Sequence, residues 1–323
     1  MEDGSGGRRI DAEGQRAYQT VQKTRIGSDH VVFPVTHILR CLHGRVVERY
    51  ETVNQLVVPL PADLDERFAL FSTDERRDEV VREAVRIVDH RVPVFVGIID
   101  TETERVLEHG RRAQELGADV LVATCPFYAL GGLAEGEEHF RILHEELDLP
   151  IFAYDIPVCV HTKLPWKLLA KLGAEGVLAG VKDSSGDDIS FRYLCQENEK
   201  LGHPMSLLTG HEIVVDGAYL SGADGSVPGL GNVDPEGYVR MWKAAEAGDW
   251  ATVKAEQDKL NELSHIFDCT DGVQGYGAGV GAFKTALQLM GVFESNQMLR
   301  PVKALSGANV EAIRNVLVEC GLL

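Results

Sequence analysis

From residue 92 onward the chain repeats one pattern, in which a short apolar run is followed by a polar break and then by a segment with helical spacing. The runs are VPVFVGI (92–98), ADVLVAT (118–124), PIFAYDIP (150–157), LAGVKD (178–183), MSLLTG (205–210) and ADGSVPG (223–229). Their centres, Val94, Leu121, Phe152, Val181, Leu207 and Ser226, lie 27, 31, 29, 26 and 19 residues apart, about the length of one strand plus one helix. Runs this apolar suit strands buried on both faces, the condition of a parallel sheet covered by helices. Between the first two runs, Val106, Gly110, Ala113 and Gly117 recur at helical spacing, the stripe of a helix lying close on a sheet.

Upstream, HVVFPVT (30–36) reads as a strand, RVVERYETVNQLVV (45–58) as a helix and FALF (68–71) as a short strand. DERRDEVVREAVRIVD (74–89) carries Val80, Val81, Ala84, Val85 and Val88 on one face and predicts a helix. The count reaches eight strands, which predicts an α/β fold of the (β/α)8 TIM-barrel type, with function at the C-terminal ends of the strands. A helical stretch at 236–267, interrupted near Gly248, and two more helical patterns at 281–291 and 309–320 predict a C-terminal helical appendage. The expected organisation is a loose polar extension over 1–29, without the apolar stretch of a signal peptide, then barrel strands and intervening helices over 30–235. The last barrel helix and the helical region follow over 236–323.

Composition narrows the partners. With 44% hydrophobic and 25% charged residues the chain can build a large core without staples. Its formal net charge of −18 is spread along the chain, which argues against nucleic acid or an anionic membrane as partner. Cysteines at 41, 125, 159, 195, 269 and 320 show no pair at the spacing of a zinc or redox site and predict reduced, mostly buried thiols in the cytoplasm. No apolar stretch approaches the roughly 18 residues that span a bilayer.

Lys182 interrupts this pattern. It follows the apolar run VLAGV (177–181) at the end of the sixth strand, with Tyr154 at the end of the fifth and Tyr128 after the fourth in TCPFY (124–128). An amine removed from water gives up its proton more readily, and the free amine attacks ketones to form a Schiff base. Forming and dehydrating the carbinolamine needs a proton carrier, for which a tyrosine hydroxyl serves. Read alone, a lysine at a strand end is more often a solvated rim residue or an ion-pair partner, here for Asp183 or Asp187, and the tyrosines are more often aromatic packing. The glycines of GADGSVPGLGN (222–232) read as tight turns, because the segment lacks the lysine of a phosphate-binding loop.

Five segments, in order, resemble one family. CPFY (125–128), YDIP (154–157), GVKDSSGD (180–187), TGHE (209–212) and GADGSVPGLGNVDP (222–235) are similar to motifs of the dihydrodipicolinate synthase / N-acetylneuraminate lyase family of Schiff-base aldolases. The 28-residue separation of Tyr154 from Lys182 and the ending LRPVKALSGANVEAIRNVLVECGLL are similar too, so that the resemblance spans residues 30–323 and is specific from 92 on. It implies that Lys182 forms an imine with pyruvate or another 2-oxo acid and that Tyr154 shuttles the proton. Tyr128 would be lent across a subunit contact in a homo-oligomer, a dimer of dimers. Gly210 and the GSVPG backbone, Val227 included, would line the pocket, and neither a metal nor an organic cofactor is implied.

Two departures qualify this. The family carries a G-T/S-T-G-E loop after the second strand to hold the 2-oxo acid's carboxylate, and the stretch here reads FALFSTDERRDEVV (68–81). Ser72 and Thr73 match the hydroxyl pair, but Phe71 and Asp74 then replace glycines; the favoured alternative is that Ser72 caps the next helix, with Glu75 completing a capping box. Secondly, Cys159 stands where dihydrodipicolinate synthases place an arginine that grips the second substrate's carboxylate. Dihydrodipicolinate synthesis is therefore not expected, and an aldehyde-plus-pyruvate product such as a 2-keto-3-deoxy sugar acid is. His161 and Lys163 either meet that aldehyde or start the next helix, and Asp155, where asparagine is common, has no explanation in the sequence. Two rival readings stay open: a member that binds a 2-oxo acid or serves as a structural subunit without turnover, and a dehydratase or hydratase-aldolase using the same imine.

Overall fold

The computed structural model describes residues 73–323 and the backbone of four short strands before them, β1 (Val31–Phe33), β2 (Cys41–Leu42), β3 (Arg45–Val46) and β4 (Leu56–Val58). These four correct the reading of the upstream segment. β1 is a strand as expected, but it pairs antiparallel with β4 in a sheet of its own, and β2 pairs antiparallel with β3. The predicted helix over 45–58 therefore gives way to strand at both ends. Its valines are β-branched and pack well on a pleated surface, and only His43 and Gly44 separate β2 from β3, the loop length at which antiparallel strands join directly. The predicted strand over 68–71 lies outside the described residues.

The repeat forms as read. β5 (Phe95–Gly97), β6 (Val120–Ala123), β7 (Ile151–Asp155), β8 (Gly180–Asp183), β9 (Ser206–Thr209) and β10 (Gly225–Ser226) make one parallel sheet in which each strand pairs with the next in sequence. Between them run α1 (Asp74–Val88, ahead of β5), α2 (Thr103–Leu116), α3 (Leu133–Glu146), the short α4 (Pro157–Val160), α5 (Trp166–Ala174), α6 (Asp188–Lys200) and α7 (Val215–Leu220). This is the parallel half-barrel of an α/β fold.

Strand alternation divides the core in two. Val96, Leu121, Ala123, Ile151, Ala153, Val181 and Leu207 pack outward with the buried faces of the helices. Val120, Phe152 and Leu208, with Phe95, Val122, Ala179 and Val227 against them, form a small separate cluster on the inner face. Phe152 fills that interior and meets Phe95 edge to face at 5.1 Å. Gly110 lets α2 lie close, since a Cβ there would stand 2.6 Å from Leu147.

After β10 come α8 (Pro235–Glu246), α9 (Trp250–Ser264), α10 (Tyr276–Leu289) and α11 (Ala308–Glu319). The interruption near Gly248 is real, with that residue at φ +72 between α8 and α9. α10 begins earlier than the pattern suggested because Gly277, Gly279 and Gly281 weaken the helical signal. Packing overrides propensity there: Gly277 and Gly281 are buried, and a Cβ on Gly277 would stand 3.0 Å from Val273. Ala282, Ala286, Ile313 and Leu317 of α10 and α11 join the outer core.

Among the described residues five cysteines are free; Cys125 and Cys195 are buried, Cys159 is exposed, and Cys269 and Cys320 lie between, so burial is less general than expected. No helix among the described residues is long and apolar enough to cross a membrane.

Candidate active site

β7 and β8 run side by side with Tyr154 opposite Lys182 and Asp155 opposite Asp183. Because side chains alternate along a strand, Tyr154 shares the inner face with Phe152, and Lys182 shares it with Gly180. The Lys182 ammonium lies over the Tyr154 ring, 4.3 Å from its centroid, a cation–π contact. Gly210, just past β9, leaves room for it. A Cβ at that position would stand 2.1 Å from Ser184 Oγ and 3.1 Å from Lys182 Cε. Lys182, Tyr154 and Gly210 are thus brought together at the C-terminal ends of three adjacent strands. Val227 joins from β10: its N–H donates to the Thr209 carbonyl at 2.7 Å, and its side chain packs on the inner cluster.

Glu212 belongs to the same region and was missed by sequence reasoning, although TGHE contains it. Its Oε1 accepts the Leu230 N–H at 2.8 Å, which ties the loop after β9 to the 3-10 turn Gly229–Asn232 after β10. Burial raises its carboxyl above the usual glutamate value, against the backbone bonds from Leu230 and Gly229 and the charge of Lys182. The Gln257 side chain on α9 holds it from behind by donating to the Glu212 carbonyl at 3.0 Å.

Asp155 now has an explanation. It is fully buried, pairs with the Lys163 ammonium and accepts the Leu164 N–H at 3.1 Å. Burial raises its carboxyl against those two partners, and it raises that of Asp183 against the Ser185 backbone and hydroxyl. Lys163 therefore turns back onto the strand ends. His161 is exposed at φ +57 where α4 ends.

The remaining candidates do not join this group. Thr73 is exposed at the N-cap of α1, and its side chain makes no capping bond. The cap position is thus one residue later than expected, and Ser72 lies outside the described residues. The Glu75 carboxylate bonds instead to the Thr73 side chain. Tyr128 is 91% exposed, with φ +76, a backbone conformation rare for a residue with a side chain. Thr124 is a further polar group at this end of the sheet. It follows β6, whose Ala123 pairs with Ala153, so it stands level with Tyr154, and its buried hydroxyl has no hydrogen-bond partner among the described residues. Among the described residues no group of three or more His, Cys, Asp or Glu side chains could hold a metal ion.

The model of the dihydrodipicolinate synthetase family matches residues 66–319. The chain belongs to that family. Among curated relatives, an uncharacterised DapA-like lyase of Halobacterium salinarum is 32% identical over 265 residues, covering 81% of this chain and 82% of the relative. A 4-hydroxy-tetrahydrodipicolinate synthase of Methanoculleus marisnigri is 29% identical over 250 residues, covering 77% and 82%. Among solved structures, the dihydrodipicolinate synthase of Bacteroides thetaiotaomicron superposes with a TM-score of 0.71 at 27% identity, covering 76% of this chain and 82% of that one. YagE, a prophage protein of the same family from E. coli K12 solved in complex with pyruvate, gives 0.73 at 24% identity, covering 79% and 84%. Family membership makes the protein one of a group of Schiff-base lyases that process small molecules, and it leaves this member's substrate open.

Proposed function

We propose that the protein is a lyase on a (β/α)8 barrel that makes or breaks the carbon–carbon bond between a 2-oxo acid, pyruvate above all, and an uncharged polar aldehyde. The Lys182 amine adds to the ketone carbon, the carbinolamine loses water, and the resulting iminium gives up a proton from the adjacent carbon to become the enamine that attacks the aldehyde. Tyr154 carries the proton in carbinolamine formation, its dehydration and the aldol step. The observation that supports this most is the placement of Lys182 Nζ over Tyr154 in the space that Gly210 leaves open.

The acceptor follows from the charges at the mouth. Cys159 is exposed and offers no two-pronged cationic grip for a second carboxylate. A 2-keto-3-deoxy sugar acid, whose aldehyde half carries hydroxyls and no charge, suits that mouth. The test is cleavage of 2-keto-3-deoxygluconate, with pyruvate release read through a coupled NADH-dependent lactate dehydrogenase. Release that is lost in Lys182→Ala supports the reading. Release of a dehydrated 2-oxo product in place of pyruvate would move it to the dehydratase class. The alternative of binding without turnover draws on Thr73, which starts a helix where the family places a carboxylate loop; it predicts a pyruvate adduct with neither product.

Tyr128 gives the oligomer a role in this reading. An aromatic side chain so exposed, held on strained backbone, is suited to insertion into a second copy of the chain. Tyr128→Ala is expected to raise the dissociation constant of the oligomer about tenfold or more and to lower activity with it. Sedimentation velocity beside turnover checks this, and a variant with wild-type assembly and wild-type rate would remove Tyr128 from the site.

A further inference from the structure

Lys163 sits between two buried carboxylates that immediately follow the two residues on which the proposed chemistry depends. Asp155 comes next after Tyr154 on β7, Asp183 next after Lys182 on β8, and the two are partners in the strand register. By alternation both leave the inner face, on the side where Ala153 and Val181 pack outward. The Lys163 ammonium pairs with Asp155, lies 3.9 Å from Asp183 Oδ2 and donates to the Leu164 carbonyl at 2.9 Å. Asp155 also accepts the Leu164 N–H at 3.1 Å, which closes the neck of the loop 156–163 on the strand from which it departs. The Asp155 carbonyl takes the Ser184 N–H at 2.9 Å, and Asp183 takes the Ser185 N–H at 2.8 Å and its hydroxyl at 2.7 Å. A single cation therefore joins the two strand ends and the loop between them.

Lys163 has little reason to be there for surface solubility. A buried carboxylate deprived of its cationic partner loses far more than an exposed ion pair would, and both aspartates are buried. The side chain's direction also matters: extended toward the mouth it would meet substrate, whereas here it is folded back under Tyr154 and Lys182.

We propose that Lys163 is a positioning residue, which fixes the mutual placement of Tyr154 and Lys182 by clamping Asp155 and Asp183 behind them. The proposal rests on the reading of Lys182 as the imine-forming amine. Loosening the clamp displaces the proton carrier from the amine without removing any group from the inner face of the sheet. Its signature is a fall in the saturated rate of imine formation with little change in the pyruvate concentration giving half that rate.

The test is a cycle of wild type, Lys163→Met, Asp155→Asn and the double variant, with Lys163→Arg as the conservative change. Each is followed by thermal midpoint and by the rate of borohydride-trapped pyruvate adduct across pyruvate concentrations. Lys163→Met is expected to lower the midpoint and cut the saturated rate about tenfold or more, with half-saturation within about threefold of wild type. The double variant, in which the Asp155→Asn side chain carries no charge and still accepts the Leu164 N–H while Asp183 keeps the Ser185 N–H and hydroxyl, is expected to recover both to within about threefold in rate. Lys163→Arg should stay near wild type. A folded Lys163→Met variant that labels at the wild-type saturated rate overturns the proposal, and so does a double variant no better than Lys163→Met. If Lys163→Met does not fold, the double variant decides: folded and labelling within about threefold supports the clamp, unfolded or about tenfold slower overturns it. Should wild type form no adduct, the imine reading fails by itself, and the midpoints still judge the clamp, non-additivity supporting it and additivity overturning it.

Discussion

Tyr154→Phe is expected to lower turnover by about 10²–10⁴-fold, the usual worth of a positioned proton carrier. The substitution removes only the hydroxyl. The ring that lies beneath the Lys182 ammonium and continues the inner face beyond Phe152 stays, so the thermal midpoint should move by no more than a few degrees. Because the hydroxyl acts on the proton in flight, the loss should fall on kcat more than on KM, the mark of an interaction made in the transition state. Steady-state kinetics beside a melting curve separate the two effects. A variant retaining a third of the wild-type kcat would show that the proton travels by another route, and the buried Thr124 hydroxyl, level with Tyr154, would be the first group to examine.

Gly180→Ala is expected to destabilise the fold by about 3 kcal/mol, toward the upper end of what overpacking a core costs. An added Cβ would stand 2.2 Å from Phe152 Cε1, 2.3 Å from Phe152 Cζ and 2.6 Å from the Ser206 carbonyl. The carbonyl cannot retreat, since Ser206 is the register partner of Gly180 in the sheet, and Phe152 is enclosed by the inner cluster and by Phe95. For a chain of this length such a loss lowers the midpoint by roughly 4–5 °C. Adding Phe152→Leu should recover part of it, because the two positions compete for one space. A midpoint unchanged within about 2 °C would mean that the inner face of the sheet is looser than the packing of Phe152 indicates.

Much of this was legible in the sequence because parallel strands covered on both faces must be apolar throughout. The runs around Val94, Leu121, Phe152, Val181, Leu207 and Ser226 each contain or adjoin a strand of the sheet, and Lys182 stood out because it broke such a run. The α8–α9 boundary was legible because Gly248 takes a left-handed backbone. The segment over 45–58 was not, since its apolar residues fit a helical period while their β-branching favours strand, and one signal was read without the other. Asp155 and Lys163 were harder still. Eight residues apart, they meet only because the chain doubles back through α4, and nothing in local spacing announces that turn. Glu212 was quoted within a motif, yet its bond to Leu230, 18 positions away, depends on β9 and β10 being neighbours.

The central claim is that Lys182 forms a covalent imine with pyruvate. The direct measurement is borohydride reduction of the full-length protein in the presence of pyruvate, followed by intact mass and peptide mapping, with Lys182→Ala beside it. The account predicts one reduced pyruvyl group per chain, on the peptide containing Lys182, and none on the variant. An unmodified wild-type protein under conditions that fully label a pyruvate-binding relative, or an adduct on another lysine that persists in Lys182→Ala, would contradict it.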